Sequence, residues 1–168
     1  MKKALIVIDI QNDYFENGKL PLWNTENTLN NVEKAIEKAN TNNIPVILVQ
    51  HASDARSTLF TEGSKGAEIH QRILKAAPNA KKVIKRFADG FYKTNLGEVL
   101  SRLGVEEILV CGMMTQNCVI FTAISKEAEK YSVKILPDCC TTINEQIHLI
   151  ALRGVSTRVE LLNYNEAI

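Results

Sequence analysis

Four short segments of the chain are apolar at nearly every position, whereas a half-exposed strand would alternate apolar and polar residues. These segments are Ala4–Ile10, Ile44–Gln50, Glu107–Gly112 and Val133–Pro137. A strand of this kind has both faces covered, which is typical of a parallel sheet between two layers of helices. The pattern therefore predicts four buried strands, with shorter or weaker strands at Val83–Lys85 and Arg158–Leu162.

Helical patterns lie between these segments. The stretch Thr25–Asn42 has apolar residues three or four positions apart, and an Asn-rich stop ends it before the second strand. The same spacing recurs in Leu96–Leu103, Val119–Tyr131 and Ile143–Arg153. The alternating order of strands and helices predicts the α/β class, as a single three-layer α/β/α domain over residues 1–168 with a mainly parallel sheet of five to six strands.

Net charge and hydropathy exclude two kinds of partner. The chain has 20 Lys and Arg residues against 19 Asp and Glu residues, so its net charge of +1 offers no basic surface for nucleic acid. No apolar run approaches the ~20 residues that a membrane-spanning helix needs. The apolar run after Lys2 and Lys3 stops at Asp9, which is too early for a signal peptide. We therefore expect a cytoplasmic protein without a nucleic-acid or membrane partner.

Asp9 is the first candidate for chemistry. Ligands of parallel α/β folds bind beyond the carboxyl ends of the strands, and Asp9 stands near such an end among branched apolar residues. A buried carboxylate is costly unless it is paired, so Asp9 needs a partner or a catalytic role. A structural or helix-capping aspartate is the alternative. Nearby Asp13 is expected at the surface or in a turn.

Cys118 is the second candidate. The third buried segment ends at Gly112, and Thr115 is expected to cap a helix that begins at once. A thiol in the first helical turn lies close to the positive end of the helix dipole, so Cys118 is placed to be a thiolate. A buried, inert thiol is the alternative, and we favour that interpretation for the other cysteines, Cys111, Cys139 and Cys140. The cysteine spacing fits neither a disulfide framework nor a zinc site, so we expect reduced thiols.

Lys85 is the third candidate, because it ends the apolar triplet of the short strand. A solvated lysine in a basic stretch is the alternative. The three histidines, His51, His70 and His148, are expected away from the turn that carries Cys118. An aspartate that accepts the thiol proton could replace a histidine base, together with a lysine whose positive charge stabilises the negative charges of the thiol and the aspartate.

Three motifs follow one another along the chain. They are ALIVIDIQNDYF at residues 4–15, VIK at residues 83–85 followed by GFYKTNL at residues 90–96, and CGMMTQNCV at residues 111–119. In this order and at these separations, the motifs resemble those of the isochorismatase-like cysteine hydrolases, the group that contains nicotinamidases and carbamoylsarcosine amidohydrolases. The resemblance covers almost the whole chain.

The resemblance implies a catalytic triad of Asp9, Lys85 and Cys118, with Cys118 as the nucleophile. It implies a cis peptide bond between Met113 and Met114, and an oxyanion hole formed by the backbone N–H groups of Met114 and Cys118. It also implies a homodimer or a higher homo-oligomer.

Two departures from the family pattern narrow the expected chemistry. Nicotinamidases carry an Asp-x-His motif and a further His as a metal site, whereas this chain has Val49, Gln50 and His51 at the corresponding place. We therefore expect no metal and no cofactor. Family members that cleave the vinyl ether of isochorismate do not use a cysteine nucleophile, so the presence of Cys118 favours acyl chemistry.

These observations predict a cysteine-dependent hydrolase that cleaves an amide or a related C–N bond of a small molecule through a covalent acyl-enzyme. The residues expected to line the substrate pocket are Phe15, Phe91, Met113 and Thr115, with Phe60 and Phe87 as further aromatic candidates.

Three alternative functions stay open at this point. They are a vinyl-ether hydrolase, a receiver-like or phosphoryl-transfer protein with Asp9 as acceptor, and a non-catalytic binding protein on the same fold. Phosphoryl-transfer folds usually have a second acidic residue two positions after the strand aspartate, where this chain has Gln11. A nucleotide-binding module is disfavoured because neither of the usual glycine-rich phosphate motifs occurs.

Overall fold

The sheet at the centre of the structure has six strands, all parallel, in the order β3-β2-β1-β4-β5-β6. The computed structural model describes residues 1–168. Its strands are β1 (Lys3–Ile8), β2 (Val46–His51), β3 (Lys81–Lys85), β4 (Glu107–Met113), β5 (Ser132–Thr141) and β6 (Glu160–Leu161). The predicted fold class and the predicted parallel sheet are confirmed.

Six α-helices accompany the sheet. They are α1 (Thr25–Thr41), α2 (Gln71–Ala76), α3 (Leu96–Arg102), α4 (Ile120–Ala123), α5 (Glu145–Val155) and α6 (Tyr164–Ala167). Helix α1 packs against α2 and α6 on one face of the sheet, and right-handed connections place α3, α4 and α5 on the other. The sequence does not predict α2 and α6, because each is too short to show a periodic pattern.

The chain reverses its direction across the sheet between β3 and β4. From β1 it runs outward through β2 to β3, and it then returns to place β4 on the other side of β1. The carboxyl ends of β1 and β4 therefore lie side by side at the point where the connections diverge. Ligands of α/β folds bind at such a point.

The two central strands are buried on both faces. All seven residues of β4 and all residues of β1 except Lys3 are buried. Gly112 of β4 is the register partner of Ile8 of β1 and has a φ of +125°. A Cβ atom at this position would overlap the carbonyl oxygen of Ile8. Only glycine therefore lets the ends of these two strands pair.

Strand β5 is longer than predicted. The apolar segment in the sequence ends at Pro137, but the strand continues to Thr141, although proline cannot donate a ladder hydrogen bond. The pairing of β5 with β4 is interrupted between Ile135 and Cys140. Pro137 lies in this irregular stretch, where no ladder N–H is required.

The predicted helix Val119–Tyr131 is broken into short pieces. A π-helical turn at Thr115–Val119 leads into α4, and a 3₁₀ turn follows at Lys126–Lys130. The first half of the segment is rich in β-branched residues, which form helices weakly. Within it, the Thr122 hydroxyl donates to the carbonyl oxygen of Cys118 at 2.7 Å.

Some apolar side chains lie on the surface, among them Leu149 and Ile150 of α5. A homo-oligomer would bury such groups, and it stays a prediction, as does the cytoplasmic location. None of the helices combines the length and the apolar character that crossing a membrane requires.

Candidate active site

Three buried side chains meet at the carboxyl end of the sheet. The Nζ atom of Lys85 lies 2.8 Å from Oδ2 of Asp9 and 3.2 Å from Sγ of Cys118. Asp9 is 0% exposed, Lys85 1% and Cys118 3%, so solvent screens their charges little. The structure thus brings together the three residues of the expected triad.

Lys85 reaches the other two residues because its side chain is long. Asp9 follows β1, and Cys118 lies in the segment Met113–Val119 after β4, which we call the Cys118 turn. Lys85 ends β3, which is two strands from β1, or about 10 Å at the usual strand spacing. Its side chain crosses the end of β2 to reach the point between β1 and β4.

Asp9 turns the chain sharply at the end of β1. Its φ of +52° lies in the left-handed region, which costs about 1 kcal/mol and which aspartate tolerates better than most residues. Its N–H donates to the carbonyl oxygen of Val49 at 2.9 Å, and its own carbonyl oxygen accepts from the N–H of Gln11 at 2.9 Å. The carboxylate is thereby held over the sheet edge beside Lys85.

The Cys118 turn begins with a cis peptide bond between Met113 and Met114. A π-helical turn follows it, and Met114 occupies the capping position that the sequence assigns to Thr115. The Thr115 hydroxyl oxygen instead lies 2.8 Å from Nδ1 of His148 on α5. This contact attaches the turn to the neighbouring helix.

The surroundings of the Cys118 thiol disfavour its ionised form. Burial raises the pKa of this thiol to about 12, and the Asp9 carboxylate adds to the rise, while Lys85 opposes it. Desolvation thus opposes the thiolate that the helix dipole favours, and the expectation of a Cys118 thiolate stays a prediction. The thiol has to lose its proton during a reaction, and Asp9 is the adjacent acceptor.

Lys85 is a buried ammonium group. Burial acts to lower the pKa of Lys85, but Asp9 and Cys118 together raise it above its ordinary value. The ammonium also donates to the carbonyl oxygen of Phe87 at 3.1 Å. The alternative of a solvated lysine is wrong, and the positive charge is available to stabilise a thiolate.

His51 also belongs to this site, although it is predicted elsewhere from the sequence. Its Nδ1 atom lies 2.9 Å from Nζ of Lys85, and its ring centroid lies 5.8 Å from that of Phe60. The expectation that all histidines lie away from the Cys118 turn is wrong, because β2 stands between β1 and β3 and its end meets the Lys85 side chain. The strand order is the signal that would have found His51.

Gln11 fixes the backbone of His51. Its Nε2 group donates to the carbonyl oxygen of His51 at 2.8 Å, and its Oε1 atom accepts from the N–H of His51 at 2.8 Å. The Nε2 group also donates to the carbonyl oxygen of Ala67 at 2.7 Å. The buried amide therefore pairs with His51 much as a neighbouring strand would.

Asp13 lies in a short 3₁₀ turn, as one of the two expectations has it, but it is buried and not at the surface. Its carboxylate accepts from the N–H of Phe60 at 2.8 Å and from the N–H of Lys19 at 3.3 Å, and it packs against Gly66. The carboxylate satisfies backbone donors of two loops that would otherwise be unpaired. Asp13 thereby anchors Phe60 near His51.

The four residues expected to line the pocket do not gather at one place. The ring of Phe15 packs against that of His70 at 4.4 Å, and the ring of Phe91 stacks on another aromatic ring outside the triad. Met113 and Thr115 are buried in the Cys118 turn itself. Their roles in substrate binding stay a prediction.

Tyr14, which is not among the residues predicted from the sequence, lies beside the site. It is 2% exposed, and its ring meets that of Phe60 edge-on at 4.7 Å. Burial raises the pKa of the Tyr14 hydroxyl, and the negative charges of Asp9 and Cys118 raise it further. Tyr14 and Phe60 thus form an aromatic wall next to the reactive groups.

Trp23 lies at the neighbouring edge of the sheet. Its N–H donates to the carbonyl oxygen of Thr142 at 2.9 Å, and its carbonyl oxygen accepts from the hydroxyl of Thr141. Its ring centroid lies 5.9 Å from that of His148, the residue that contacts Thr115. Trp23 is therefore coupled through His148 to the Cys118 turn.

Asp9, His51 and Cys118 are residue types that bind metal ions, and their ligand atoms lie within 4.8 Å of one another. The Nζ atom of Lys85, however, lies 2.8 to 3.2 Å from one atom of each. A metal ion among them would meet an ammonium group at contact distance, so the arrangement fits a lysine better than a second cation. The expected absence of a metal stays a prediction.

The sequence matches one protein family along almost its whole length. A family model described as the isochorismatase domain matches residues 3–162. The uncharacterised isochorismatase family protein YddQ of Bacillus subtilis is 35% identical over 88% of this chain and 82% of its own length. The chain therefore belongs to the isochorismatase family of hydrolases, and the resemblance carried by the three motifs is confirmed.

Two further proteins are similar to this chain, one in sequence and one in solved structure. Nicotinamidase 3 of Arabidopsis thaliana is 28% identical over 91% of this chain and 80% of its own length. The crystal structure of a putative isochorismatase hydrolase from Oleispira antarctica is 27% identical and superposes with a TM-score of 0.91, covering 99% of this chain and 95% of that chain. The α/β sheet and its helices are thus shared with solved members of the family.

Proposed function

We propose that this hydrolase cleaves an amide or a related C–N bond of a small molecule through a covalent intermediate on Cys118. The observation that carries the proposal is the buried cluster in which Lys85 contacts both Asp9, at 2.8 Å, and Cys118, at 3.2 Å. The cluster supplies a nucleophile and a proton acceptor, together with a fixed positive charge that can stabilise the thiolate during acyl transfer.

The first half of the proposed reaction forms an acyl-enzyme. Asp9 accepts the thiol proton while Sγ of Cys118 attacks the carbonyl carbon of the substrate. The C–N bond then breaks, and the nitrogen leaves with the proton that Asp9 returns to it. The product of this half is a thioester on Cys118 and free ammonia or an amine.

The second half hydrolyses the thioester. Asp9 accepts a proton from a water molecule as the oxygen of that water attacks the thioester carbon. The C–S bond breaks, the Cys118 sulfur regains a proton from Asp9, and a carboxylic acid leaves. The balance consumes water alone and needs no oxidant or reductant.

Lys85 and the backbone supply the charge stabilisation. The ammonium is in place before the thiolate forms, so little reorganisation is required when the negative charge appears. The N–H group of Met114 donates to no backbone carbonyl, which supports its proposed role, together with the N–H of Cys118, as an oxyanion donor.

The relatives support amide chemistry without naming the substrate. Nicotinamidase 3, by its name, acts on an amide. The alternative of phosphoryl transfer to Asp9 has less support, because the Asp9 carboxylate is fully buried against Lys85. Vinyl-ether hydrolysis would leave Cys118 without a chemical role.

The test is a panel of small primary amides, ureas and carbamoyl compounds assayed for ammonia release. We expect wild-type protein to release ammonia from at least one of them, and Cys118→Ala to release none. Cys140→Ala is the matched control, since Cys140 is another buried cysteine, and it should keep the activity. Mass spectrometry of rapidly quenched samples should show an acyl adduct on Cys118.

The proposal fails if Cys118→Ala turns over an amide at the wild-type rate. It also fails if the wild-type protein releases no ammonia from any compound and hydrolyses isochorismate.

A further inference from the structure

We propose that His51 is a positioning residue for Lys85: its neutral imidazole accepts a hydrogen bond from the ammonium and fixes the direction in which Lys85 meets Asp9 and Cys118. The inference builds on the proposed function, in which Lys85 stabilises the Cys118 thiolate. It concerns a residue outside the expected triad.

The contact follows from the register of the sheet. His51 and Lys85 are paired residues at the ends of β2 and β3, and paired residues of neighbouring strands project to the same face. The Lys85 side chain must pass the end of β2 to reach Asp9. The His51 ring stands at that crossing, with Nδ1 2.9 Å from Nζ.

The ring of His51 is itself held in place. Gln11 binds both backbone polar groups of His51 at 2.8 Å, and Phe60 packs against the ring. Phe60 in turn is anchored through its N–H to the buried carboxylate of Asp13. The imidazole therefore offers Lys85 an acceptor whose position is set by the fold.

The ammonium fixes the tautomer of His51. Lys85 is protonated and has only donors, so Nδ1 must accept and the ring proton must sit on Nε2. The charged groups that act on His51 are Lys85, Asp9 and Arg86. Burial lowers the pKa of His51. The positive charges of Lys85 and Arg86 lower this pKa further, whereas the negative charge of Asp9 raises it. His51 stays neutral at neutral pH, so it holds Lys85 without adding a charge to the cluster.

Four acceptors surround the three N–H groups of the ammonium. They are Asp9 Oδ2 at 2.8 Å, His51 Nδ1 at 2.9 Å, the carbonyl oxygen of Phe87 at 3.1 Å and Cys118 Sγ at 3.2 Å. Without the His51 acceptor, the nitrogen is free to move toward Asp9 and the carbonyl oxygen. Its distance from Cys118 would grow, and the thiolate would lose stabilisation.

The experiment compares His51→Asn with His51→Gln. Both are neutral amides, but the asparagine oxygen falls near the position of Nδ1, whereas the glutamine oxygen falls near that of Nε2, beyond the ammonium. The readout is the rate at which iodoacetamide alkylates Cys118, which requires thiolate but no substrate. We expect alkylation in His51→Gln to be about tenfold slower than in wild type, the change that one pKa unit gives. In His51→Asn, we expect most of the wild-type alkylation rate to be recovered.

Two further measurements complete the test. Imidazole ¹⁵N shifts of wild-type protein should show the neutral Nε2–H tautomer of His51. His70→Gln is the control, since His70 lies at the start of α2, and it should alkylate at the wild-type rate.

Equal alkylation rates in His51→Gln and wild-type protein, or an Nδ1–H tautomer, would overturn the inference. If the wild-type protein releases no ammonia and hydrolyses isochorismate but the His51 variants differ as expected, the proposed function fails and the positioning role stands.

Discussion

The Nζ atom of Lys85 lies 3.2 Å from Sγ of Cys118, and both side chains are buried. Lys85 ends β3 and Cys118 lies in the turn after β4, and Lys85 reaches Cys118 only by crossing the end of β2. The positive charge is thus in contact with the sulfur before any substrate binds. The consequences for activity and stability can be measured separately.

Replacement of Cys118 tests covalent catalysis. Cys118→Ser and Cys118→Ala should each lower kcat by at least about 10³-fold, because removal of a nucleophile costs at least this much in well-studied hydrolases. The substitutions remove little volume, so the unfolding midpoint in urea should stay close to that of wild type. A variant that loses both activity and folding would not count as support.

Asp9→Asn tests the proton acceptor through pH. In wild-type protein the thiol proton can pass to Asp9, so alkylation of Cys118 should change little between about pH 6 and 8. In Asp9→Asn the proton must go to water. The rate should then rise about tenfold per pH unit below the pKa of the thiol.

The same substitution should lower turnover roughly 10²- to 10⁴-fold, the usual contribution of a general base. Loss of the Asp9 charge should also lower the pKa of Cys118, because this carboxylate helps to raise it. A flat alkylation profile in Asp9→Asn would show that another group accepts the proton.

Lys85→Met tests the buried ion pair through stability. The substitution leaves the Asp9 carboxylate buried without its partner, which should cost about 3–5 kcal/mol of unfolding free energy. The double variant Asp9→Asn with Lys85→Met removes both charges and should recover at least half of the loss. Urea denaturation of wild type, Lys85→Met, Asp9→Asn and the double variant measures the coupling between the two charges. Additive losses of unfolding free energy would contradict this coupling.

Gly112→Ala tests the close approach of β1 and β4. The added Cβ would overlap the Ile8 carbonyl oxygen at a positive φ, so we expect a loss of about 4 kcal/mol or more in unfolding free energy. Gly154→Ala is the matched control. Gly154 lies in α5 with no atom within 4 Å of an added Cβ, so the change should stabilise the protein by about 1 kcal/mol. Equal stability of the two variants would refute the steric argument.

Asp9 and Lys85 can be found from the sequence because each departs from the apolar pattern at a strand end, and Cys118 because it stands at the start of a predicted helix. Their joint role comes from the order and spacing of the three motifs. Charge states depend on burial, which the residue types alone do not reveal. The raised pKa of the Cys118 thiol is therefore a result of the structure, since it comes first from desolvation.

His51 and Gln11 escape the sequence analysis for a topological reason. His51 ends β2 and Gln11 follows β1 by three residues, but their contact with the site depends on β2 standing between β1 and β3. Local patterns predict strands without their order. The continuation of β5 beyond Pro137 is missed for a similar reason. An irregular stretch in the pairing with β4 allows β5 to continue past a residue that usually ends a strand.

Trp23 is the only tryptophan of the chain, and its backbone is bound to the end of β5 while its ring lies near His148. Its emission therefore reports on one place in the molecule, the edge of the sheet beside the Cys118 turn. A ligand that shifts His148 or Thr115 should change the intensity or colour of this emission. The protein thus carries an internal optical signal for binding events that release no ammonia.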